Sequence, residues 1–312
     1  MHRAAISRRK ADKGHMSRYT REKKPSQSND ADEKKSPQYN PLVSLITPVR
    51  NGIKYLETSI QSVLNQAYPY IEHIFVDGGS TDGTLEMLAS YQAKYPDRIR
   101  FISGTDKGVG DAVNKGFRIA RGDIFCWLDS DDVHEPDAIQ TVVEFFRTNP
   151  DAYFVFGGCN MINEKGEVIA EFITKDFDLR EALNYWHYLV LPATFYKREV
   201  IDRVGFFNDL GNDLDFFIRV HKRFKMYRIE KVLSNWRLHG EGISLSRGAR
   251  EDKIRRERVR QDFFLCIRHG GSIFSPRARR YHPILVTSVV EGLRPILGWA
   301  YPFINKVLER FY

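Results

Sequence analysis

The sequence has few cysteines and lacks several motifs that define common protein classes. Three cysteines occur among the 312 residues, Cys126, Cys159 and Cys266, and no two of them have CxxC spacing. This argues against a disulfide framework or a cysteine-rich zinc site, and we expect buried thiols in a reducing compartment. No GxGxxG sequence follows the first predicted strand, which argues against a dinucleotide-dependent oxidoreductase.

Long apolar runs without charges or prolines are also missing. No apolar segment follows the basic N-terminus, so the sequence predicts no signal peptide. Residues 284–304 are largely apolar but include Glu291, Arg294 and two prolines, which argue against a membrane-spanning helix. An interfacial helix and a helix packed on the protein core both remain open.

Charge divides the chain into three parts. Residues 1–40 carry 11 Lys and Arg against 5 Asp and Glu, residues 41–246 carry 23 against 29, and residues 247–312 carry 14 against 6. The first part is poor in large aliphatic side chains and is predicted to be a disordered basic tail. The acidic middle argues against nucleic-acid binding and suits a core that holds metal ions. The basic ends could be solvated or could lie on an anionic membrane surface.

Short apolar runs alternate with helical patterns in residues 41–246. The first strand pattern, Val43–Thr47, is expected to stop at Pro48. Further strands are predicted at 71–76, 99–103, 124–128 and 153–156, and helices at 84–95, 111–120 and 136–147. This order predicts an α/β fold, with a Rossmann-like, mostly parallel sheet covered by helices on both faces. A charged helical stretch at 250–268 opens a C-terminal helical extension, 247–312.

An acidic cluster follows the strand at 124–128. It contains Asp129, Ser130, Asp131 and Asp132. Alternate carboxylates at a strand end can hold a hard divalent cation through oxygen, and such an ion can neutralise a diphosphate. The alternative is that Asp132 or Asp137 caps the helix that follows.

A glycine-rich loop, residues 77–84, follows the strand at 71–76. Its glycines let the backbone approach a ligand closely, and Asp77 could accept a hydrogen bond from a nucleotide base. The alternative is a tight strand-to-helix turn. Asp82 is interpreted mainly as the cap of the next helix.

The order of these motifs resembles that of family 2 glycosyltransferases with the GT-A fold, over about residues 43–246. The segments that carry the resemblance are Thr47-Pro48-Val49-Arg50-Asn51 as the first strand end, the Asp77 loop, Asp106-Lys107-Gly108, Leu128-Asp129-Ser130-Asp131-Asp132 as the DxD motif, Asn212-Asp213 as the base motif, and Trp236-Arg237-Leu238-His239 as the closing strand. The loop departs from the family at Gly78, where many relatives have Asp. Asn212 stands where Glu is usual.

The resemblance implies an inverting, metal-dependent transfer of a sugar from a UDP- or GDP-sugar. The implied donor-binding residues are Thr47, Pro48, Asn51, Asp77, Asp106, Lys107, Asp129 and Ser130. Mg²⁺ or Mn²⁺ would be bound by Asp131 and His239, with Asp129 as a further candidate. Asp213 would be the general base, although as a helix N-terminal residue it could also be structural. Asp215 is interpreted as a structural partner of Arg219.

The resemblance also implies a glycan or lipid-linked acceptor, and a cytoplasmic enzyme is expected because nucleotide sugars are cytosolic. The extension 247–312 lies outside the resemblance, and its basic and apolar residues predict peripheral attachment to the inner membrane face. The acidic middle of the chain predicts no nucleic-acid partner. Two alternatives remain open. A nucleotidyltransferase normally has an early glycine-rich basic loop, whereas residues 49–52 offer a single arginine. A non-catalytic nucleotide-sugar binding module would be expected to have lost some of the candidate site residues. All of them are present here, namely Asp129, Asp131, Asp213 and His239.

Overall fold

Nine strands and eight α-helices lie in the residues that the computed structural model describes, namely 39–172, 174–185, 189–240 and 249–278. The strands are β1 (Val43–Val49), β2 (Ile71–Asp77), β3 (Ile99–Ser103), β4 (Ile124–Trp127), β5 (Val133–His134), β6 (Phe154–Ile162), β7 (Val168–Phe172), β8 (Thr194–Lys197) and β9 (Met226–Arg237). The helices are α1 (Ile53–Leu64), α2 (Thr84–Lys94), α3 (Val109–Ile119), α4 (Ala138–Thr148), α5 (Leu179–Asn184), α6 (Arg198–Val204), α7 (Asp213–His221) and α8 (Ala249–Arg268).

One sheet contains all nine strands, in the order β3-β2-β1-β4-β8-β6-β9-β5, with β7 paired to β6. The first four strands of this order are parallel, and so are β6 and β9. Antiparallel pairs occur where β8, β5 and β7 meet their neighbours. The predicted α/β fold with a mostly parallel sheet is confirmed, and the antiparallel pairs are confined to its second half.

Helices cover both faces of the sheet because side chains alternate along each strand. Leu45 of β1 packs in one apolar cluster with Ile139 of α4. Its neighbour Ile46 packs in a second cluster with Val113 of α3. The three cysteines are buried free thiols, as expected for small apolar side chains in these layers.

Strand β1 does not stop at Pro48 as predicted but continues to Val49. Its pairing with β4 ends at Ile46, whereas its pairing with β2 extends to Val49. Pro48 therefore lies where β1 has lost one of its two neighbours, and a missing N–H is tolerated at such a position. Helix α4 begins at Ala138, two residues later than predicted.

The described part of the C-terminal extension packs against α5 and α7. Cys266 of α8 lies in an apolar cluster with Leu183 of α5 and with Leu214 and Ile218 of α7. None of the described helices is long and apolar enough to cross a membrane. Two predicted segments lie outside the described residues. They are residues 1–38 of the predicted disordered tail and the apolar stretch 284–304.

Candidate active site

The loops that follow β1 and β2 are hydrogen-bonded to each other at the carboxyl edge of the sheet. Asn51 donates its backbone N–H to the Ser80 hydroxyl at 2.8 Å. Its side-chain oxygen accepts a bond of 2.9 Å from the backbone N–H of Thr81. Asn51 adopts a φ of 53°, a conformation that Asn tolerates better than most residues. The predicted donor-binding residue Asn51 thus joins two loops of the site.

Asp82 strengthens the same junction. One carboxylate oxygen accepts from the backbone N–H of Thr84 at 3.1 Å, and the other accepts from the N–H of Ile53 at 3.1 Å. The residue before Thr84, Gly83, occupies the cap position of α2 without a side-chain bond. Asp82 therefore binds the first turns of both α2 and α1, a wider role than the single cap predicted for it.

Asp77 is fully buried, and its carboxylate holds its own loop. It accepts hydrogen bonds from the N–H groups of Gly79 (2.9 Å) and Ser80 (3.2 Å) and from the Ser103 hydroxyl (2.7 Å). Burial acts to raise the pKa of Asp77, but these bonds outweigh it and lower the pKa below its usual value. A contact of Asp77 with a nucleotide base stays a prediction.

Asp106 occupies the space beside Gly78. One of its oxygens accepts from the N–H of Gly108 at 3.0 Å. Its Oδ2 atom lies 2.7 Å from the point where a Cβ on residue 78 would stand. A side chain at 78 would require this carboxylate to move, and an acidic one would place a second negative charge beside it. The adjacent Lys107 is exposed on the same loop.

Thr47 and Pro48 lie in strand β1 rather than in a loop. The Thr47 hydroxyl is fully buried, 2.8 Å from Nε2 of His73. Pro48 is half-buried. The structure thus places the Thr47 side chain in the core, and any donor contact of these two residues stays a prediction.

Asp129 begins the acidic turn after β4. Its Oδ1 atom accepts a 2.7 Å hydrogen bond from the indole N–H of Trp127. Burial and then the charge of Asp131 raise the pKa of Asp129 to about 7. The Trp127 bond and the positive charge of Arg258 oppose this rise, while the charge of Asp213 adds to it. Asp129 is thus electrostatically linked to the second residue of the DxD motif and to the predicted base.

Asp131 meets His239, a residue 108 positions further along the chain. Nε2 of His239 lies 2.7 Å from Oδ2 of Asp131. The His239 ring packs at 4.7 Å between ring centroids against Tyr55 of α1. Its Nδ1 atom is buried and has no hydrogen-bond partner among the described residues. The structure therefore brings together the two residues predicted to bind the metal.

Asp132 does not cap α4. Its carboxylate accepts a 2.8 Å bond from the backbone N–H of Arg237. Burial, with Asp131 and Asp129 nearby, raises the pKa of Asp132 well above its usual value. Asp137 stands at the cap position of α4 but makes no cap bond, and its carboxylate binds Lys231.

Arg237 holds the acidic turn from the opposite side. Its guanidinium donates to the carbonyl oxygens of Asp131 (2.9 Å), Asn163 (3.0 Å) and Glu164 (3.3 Å). It also stacks over the ring of Tyr55 at 4.8 Å. Arg237 was not among the predicted site residues, although it belongs to the Trp236–His239 motif.

Asp213 is the first residue of α7. The side chain of the preceding Asn212 caps the helix by accepting from the N–H of Asp215 at 3.1 Å. Asp215 pairs with Arg219 at 2.9 Å, which confirms its predicted structural role. Asp213 remains at the edge of the site, half-buried, where its charge acts on Asp129.

Among the described residues, no group of three or more His, Cys, Asp and Glu side chains is arranged to hold a metal ion. Asp131 and His239 form a pair. Mg²⁺ is commonly bound through one or two protein ligands, with substrate phosphates and waters completing its coordination, and Mn²⁺ accepts similar ligands. The pair therefore fits an ion whose remaining ligands come with the donor.

Comparison with known proteins is consistent with this geometry. The sequence model of the family described as Glycosyl transferase family 2 matches residues 44–205. The chain belongs to this family. Chondroitin synthase of Escherichia coli is 32% identical to it over 213 residues, which are 66% of this chain and 30% of that protein. The family 2 chain spans about a third of the length of the first relatives it matches.

Solved structures share the fold of this family 2 chain. Residues 1–349 of TarS of Staphylococcus aureus, in complex with UDP, match with a TM-score of 0.54 and 17% identity, covering 83% of this chain and 74% of that fragment. The mannosyltransferase PcManGT of Pyrobaculum calidifontis, in complex with GDP-Man and Mn²⁺, matches with a TM-score of 0.55 and 19% identity, covering 88% and 81%. The predicted GT-A fold is confirmed.

Proposed function

We propose that the protein is an inverting glycosyltransferase that moves a sugar from a nucleoside-diphosphate sugar to a hydroxyl of a glycan or lipid-linked acceptor. The observation that carries this proposal is the 2.7 Å contact between Asp131 and His239 at the carboxyl edge of the sheet. It lies beside Asp129, whose carboxyl is influenced by the charge of Asp213. The contact and this charge effect support a shared role for the metal-ligand, donor and base candidates.

The donor is inferred from structural relatives. TarS was solved with UDP and with UDP-GlcNAc, and PcManGT with GDP-Man and Mn²⁺. We infer that this chain uses a UDP- or GDP-sugar with Mg²⁺ or Mn²⁺. Asp131 and His239 would hold the ion, with Asp129 nearby. A divalent ion supplies positive charge that stabilises a departing diphosphate.

Asp213 would act as the general base. As the acceptor oxygen bonds to the anomeric carbon, the bond from that carbon to the diphosphate breaks, and the acceptor proton passes to Asp213. A single displacement of this kind inverts the configuration at the anomeric carbon. The position of Asp213 at the first turn of α7 is fixed by the Asn212 cap, which suits a group that must meet an acceptor in one orientation.

The proposal is tested by incubating the full chain with a panel of UDP- and GDP-sugars, with Mn²⁺ or with chelator, and measuring the nucleoside diphosphate that is released. We expect release from one donor, in the presence of metal and faster with an acceptor. NMR of the product linkage would report inversion. Release of pyrophosphate from a nucleoside triphosphate and a sugar phosphate would instead identify a nucleotidyltransferase. Donor binding without any release would identify a non-catalytic module.

We also propose that the basic extension 247–312 attaches the protein to an anionic membrane surface, where a lipid-linked acceptor would present its hydroxyl. In the described part of this extension, Phe264 is 60% exposed on α8, between Arg260 and Arg268, and Phe274 is 70% exposed just beyond the helix. Basic residues near anionic headgroups contribute about 1 kcal/mol each.

Co-sedimentation with phosphatidylglycerol vesicles tests the membrane proposal. We expect binding at low salt that weakens at high salt and is reduced by the double substitution Phe264→Ser and Phe274→Ser. Neither phenylalanine is a candidate site residue, so nucleotide binding serves as the control. Wild-type protein that stays in the supernatant at low salt would refute membrane attachment.

A further inference from the structure

Helix α8 lies beyond the residues matched by the family, 44–205, yet its residue Arg258 binds the loop that leads into α7. Its guanidinium donates from Nε and from Nη2 to the carbonyl oxygen of Leu210, at 3.1 and 2.6 Å. A guanidinium carries five N–H donors, and these bonds use two of them. Arg258 is half-buried, so the group is held in a fixed place without being enclosed.

The loop that holds Arg258 packs against Trp127, the last residue of β4. Leu210 is followed by Gly211, and a Cβ at that glycine would stand 2.8 Å from Cη2 of Trp127. The indole N–H of Trp127 donates to Asp129 at 2.7 Å. The positive charge of Arg258 acts on the same Asp129 carboxyl, opposing the larger effects of burial and Asp131. Arg258 is therefore linked to the turn where the donor is proposed to bind through the Leu210 loop and Trp127.

The site has more negative than positive charge available for a ligand. The charges of Asp131 and Asp213 both act on the Asp129 carboxyl, and a donor diphosphate would add further negative charge. The guanidinium of Arg237 is engaged by three backbone carbonyl oxygens, so it acts mainly on the protein itself. A planar guanidinium held by one carbonyl can still present a pair of donors to phosphate oxygens.

We propose that Arg258 of α8 binds the diphosphate of the donor and stabilises it as it leaves. This inference rests on the proposed function, because it assigns a residue to the leaving group of that reaction. It makes the C-terminal helix a part of the active site rather than an appendage. Residues 247–312 lie outside the family resemblance, and no motif in the sequence points to a site residue in α8.

The test compares the full-length wild type with Arg258→Met, Arg258→Lys and a matched control, Arg260→Met. Arg260 pairs with Glu257 on an exposed part of the same helix. Calorimetry measures the affinity for UDP and GDP, and for UMP and GMP, each with Mn²⁺. Arg258→Met is expected to weaken diphosphate binding at least tenfold while changing monophosphate binding less than twofold. Arg258→Lys should fall between Arg258→Met and wild type, and Arg260→Met should match wild type.

The outcomes separate this inference from the proposed function. If wild type binds a diphosphate with Mn²⁺ and Arg258→Met binds it equally well, Arg258 has no such role while the proposed function stands. Equal weakening of diphosphate and monophosphate would show that Arg258 only fixes the Leu210 loop, which also refutes the inference. Thermal unfolding of each variant checks its fold. If Arg258→Met is unfolded, a diphosphate-selective loss in Arg258→Lys supports the inference and a non-selective loss refutes it.

Discussion

The side-chain amide of Asn212 donates a 2.6 Å hydrogen bond to the carboxylate of Asp262, across the contact between α7 and α8. The oxygen of the same amide caps α7 by accepting from Asp215. Asp262 therefore fixes the orientation of the cap that stands directly before Asp213. Where family members usually have a glutamate, this chain has an amide, and the carboxylate next to it comes from α8.

A double-mutant cycle tests the link between Asn212 and Asp262. We expect Asn212→Ala and Asp262→Ala each to lower the free energy of unfolding by about 1–2 kcal/mol, through loss of the cap or of its charged partner. The double variant should lose less than the sum, with a coupling of at least about 0.5 kcal/mol, because both changes remove one shared bond. Urea unfolding measures the three values. Additive losses would show that the bond does not contribute to stability.

Asp131→Ala is expected to remove metal-dependent nucleotide binding, because Asp131 is the carboxylate that meets His239. Calorimetry of UDP and GDP with Mn²⁺ measures the effect. Asp137→Ala is the matched control, since Asp137 is an exposed acid on the same segment and binds Lys231. Unchanged metal-dependent affinity in Asp131→Ala would move the metal site elsewhere.

Asp213→Asn is expected to retain donor binding but to lower kcat by about 10²–10⁴, because a general base acts in the transition state. Asp215→Asn provides the comparison, since Asp215 lies two residues beyond Asp213 on the same helix and pairs with Arg219. It should keep near-normal turnover and lose a little stability. The reverse pattern, with turnover lost in Asp215→Asn instead, would identify Asp215 as the base.

Two buried histidines predict loss of stability in mild acid. Burial, aided by the positive charges of His134 and Arg98, lowers the pKa of His73 to about 3. Burial lowers the pKa of His134 to about 4, although its contact with the Pro192 carbonyl opposes this. The unfolded chain binds these protons below about pH 6.5 and the folded chain does not, so unfolding becomes more favourable as pH falls. Between about pH 6.5 and its pKa in the folded protein, each histidine lowers the free energy of unfolding by about 1.4 kcal/mol per pH unit. Above about pH 6.5 neither histidine contributes to the pH dependence.

Urea unfolding between pH 7.5 and pH 4.5 measures this slope. His73→Gln keeps a polar partner for Thr47 but does not titrate, so it should be less stable than wild type at pH 7.5 and show a shallower decline in acid. Identical slopes for the two proteins would show that His73 is not responsible.

The elements that the sequence predicted well are those set by local patterns. Strand β3 has the predicted bounds 99–103, and β2 and β4 each end within one residue of the predicted end. Parallel strands place their carboxyl ends on one edge, which is why Asp77 and Asp129 could be assigned to the same region from the sequence. The predicted end of β1 at Pro48 was wrong because a strand can include a proline where it has lost one neighbouring strand. The pairing of β1 with β4 ends at Ile46, before the proline.

The remaining features of the site depend on contacts between distant parts of the chain. Arg237 reaches the carbonyl of Asp131, and Arg258 reaches that of Leu210, across 106 and 48 positions. No spacing rule links such pairs, because long arginine side chains find their partners only after the elements pack. The burial of Thr47 against His73 also depends on the pairing of β1 with β2, so the Thr47–Asn51 motif alone could not predict it.

The close approach of Asp106 to Gly78 makes the two positions dependent on each other. The Asp106 carboxylate fills the space beside Gly78, and it would have to move to make room for a side chain there. An acidic side chain at 78 would also add a second negative charge beside the first, which is unfavourable because like charges repel at short range. A substitution at either position is therefore expected to change which residues the other position tolerates.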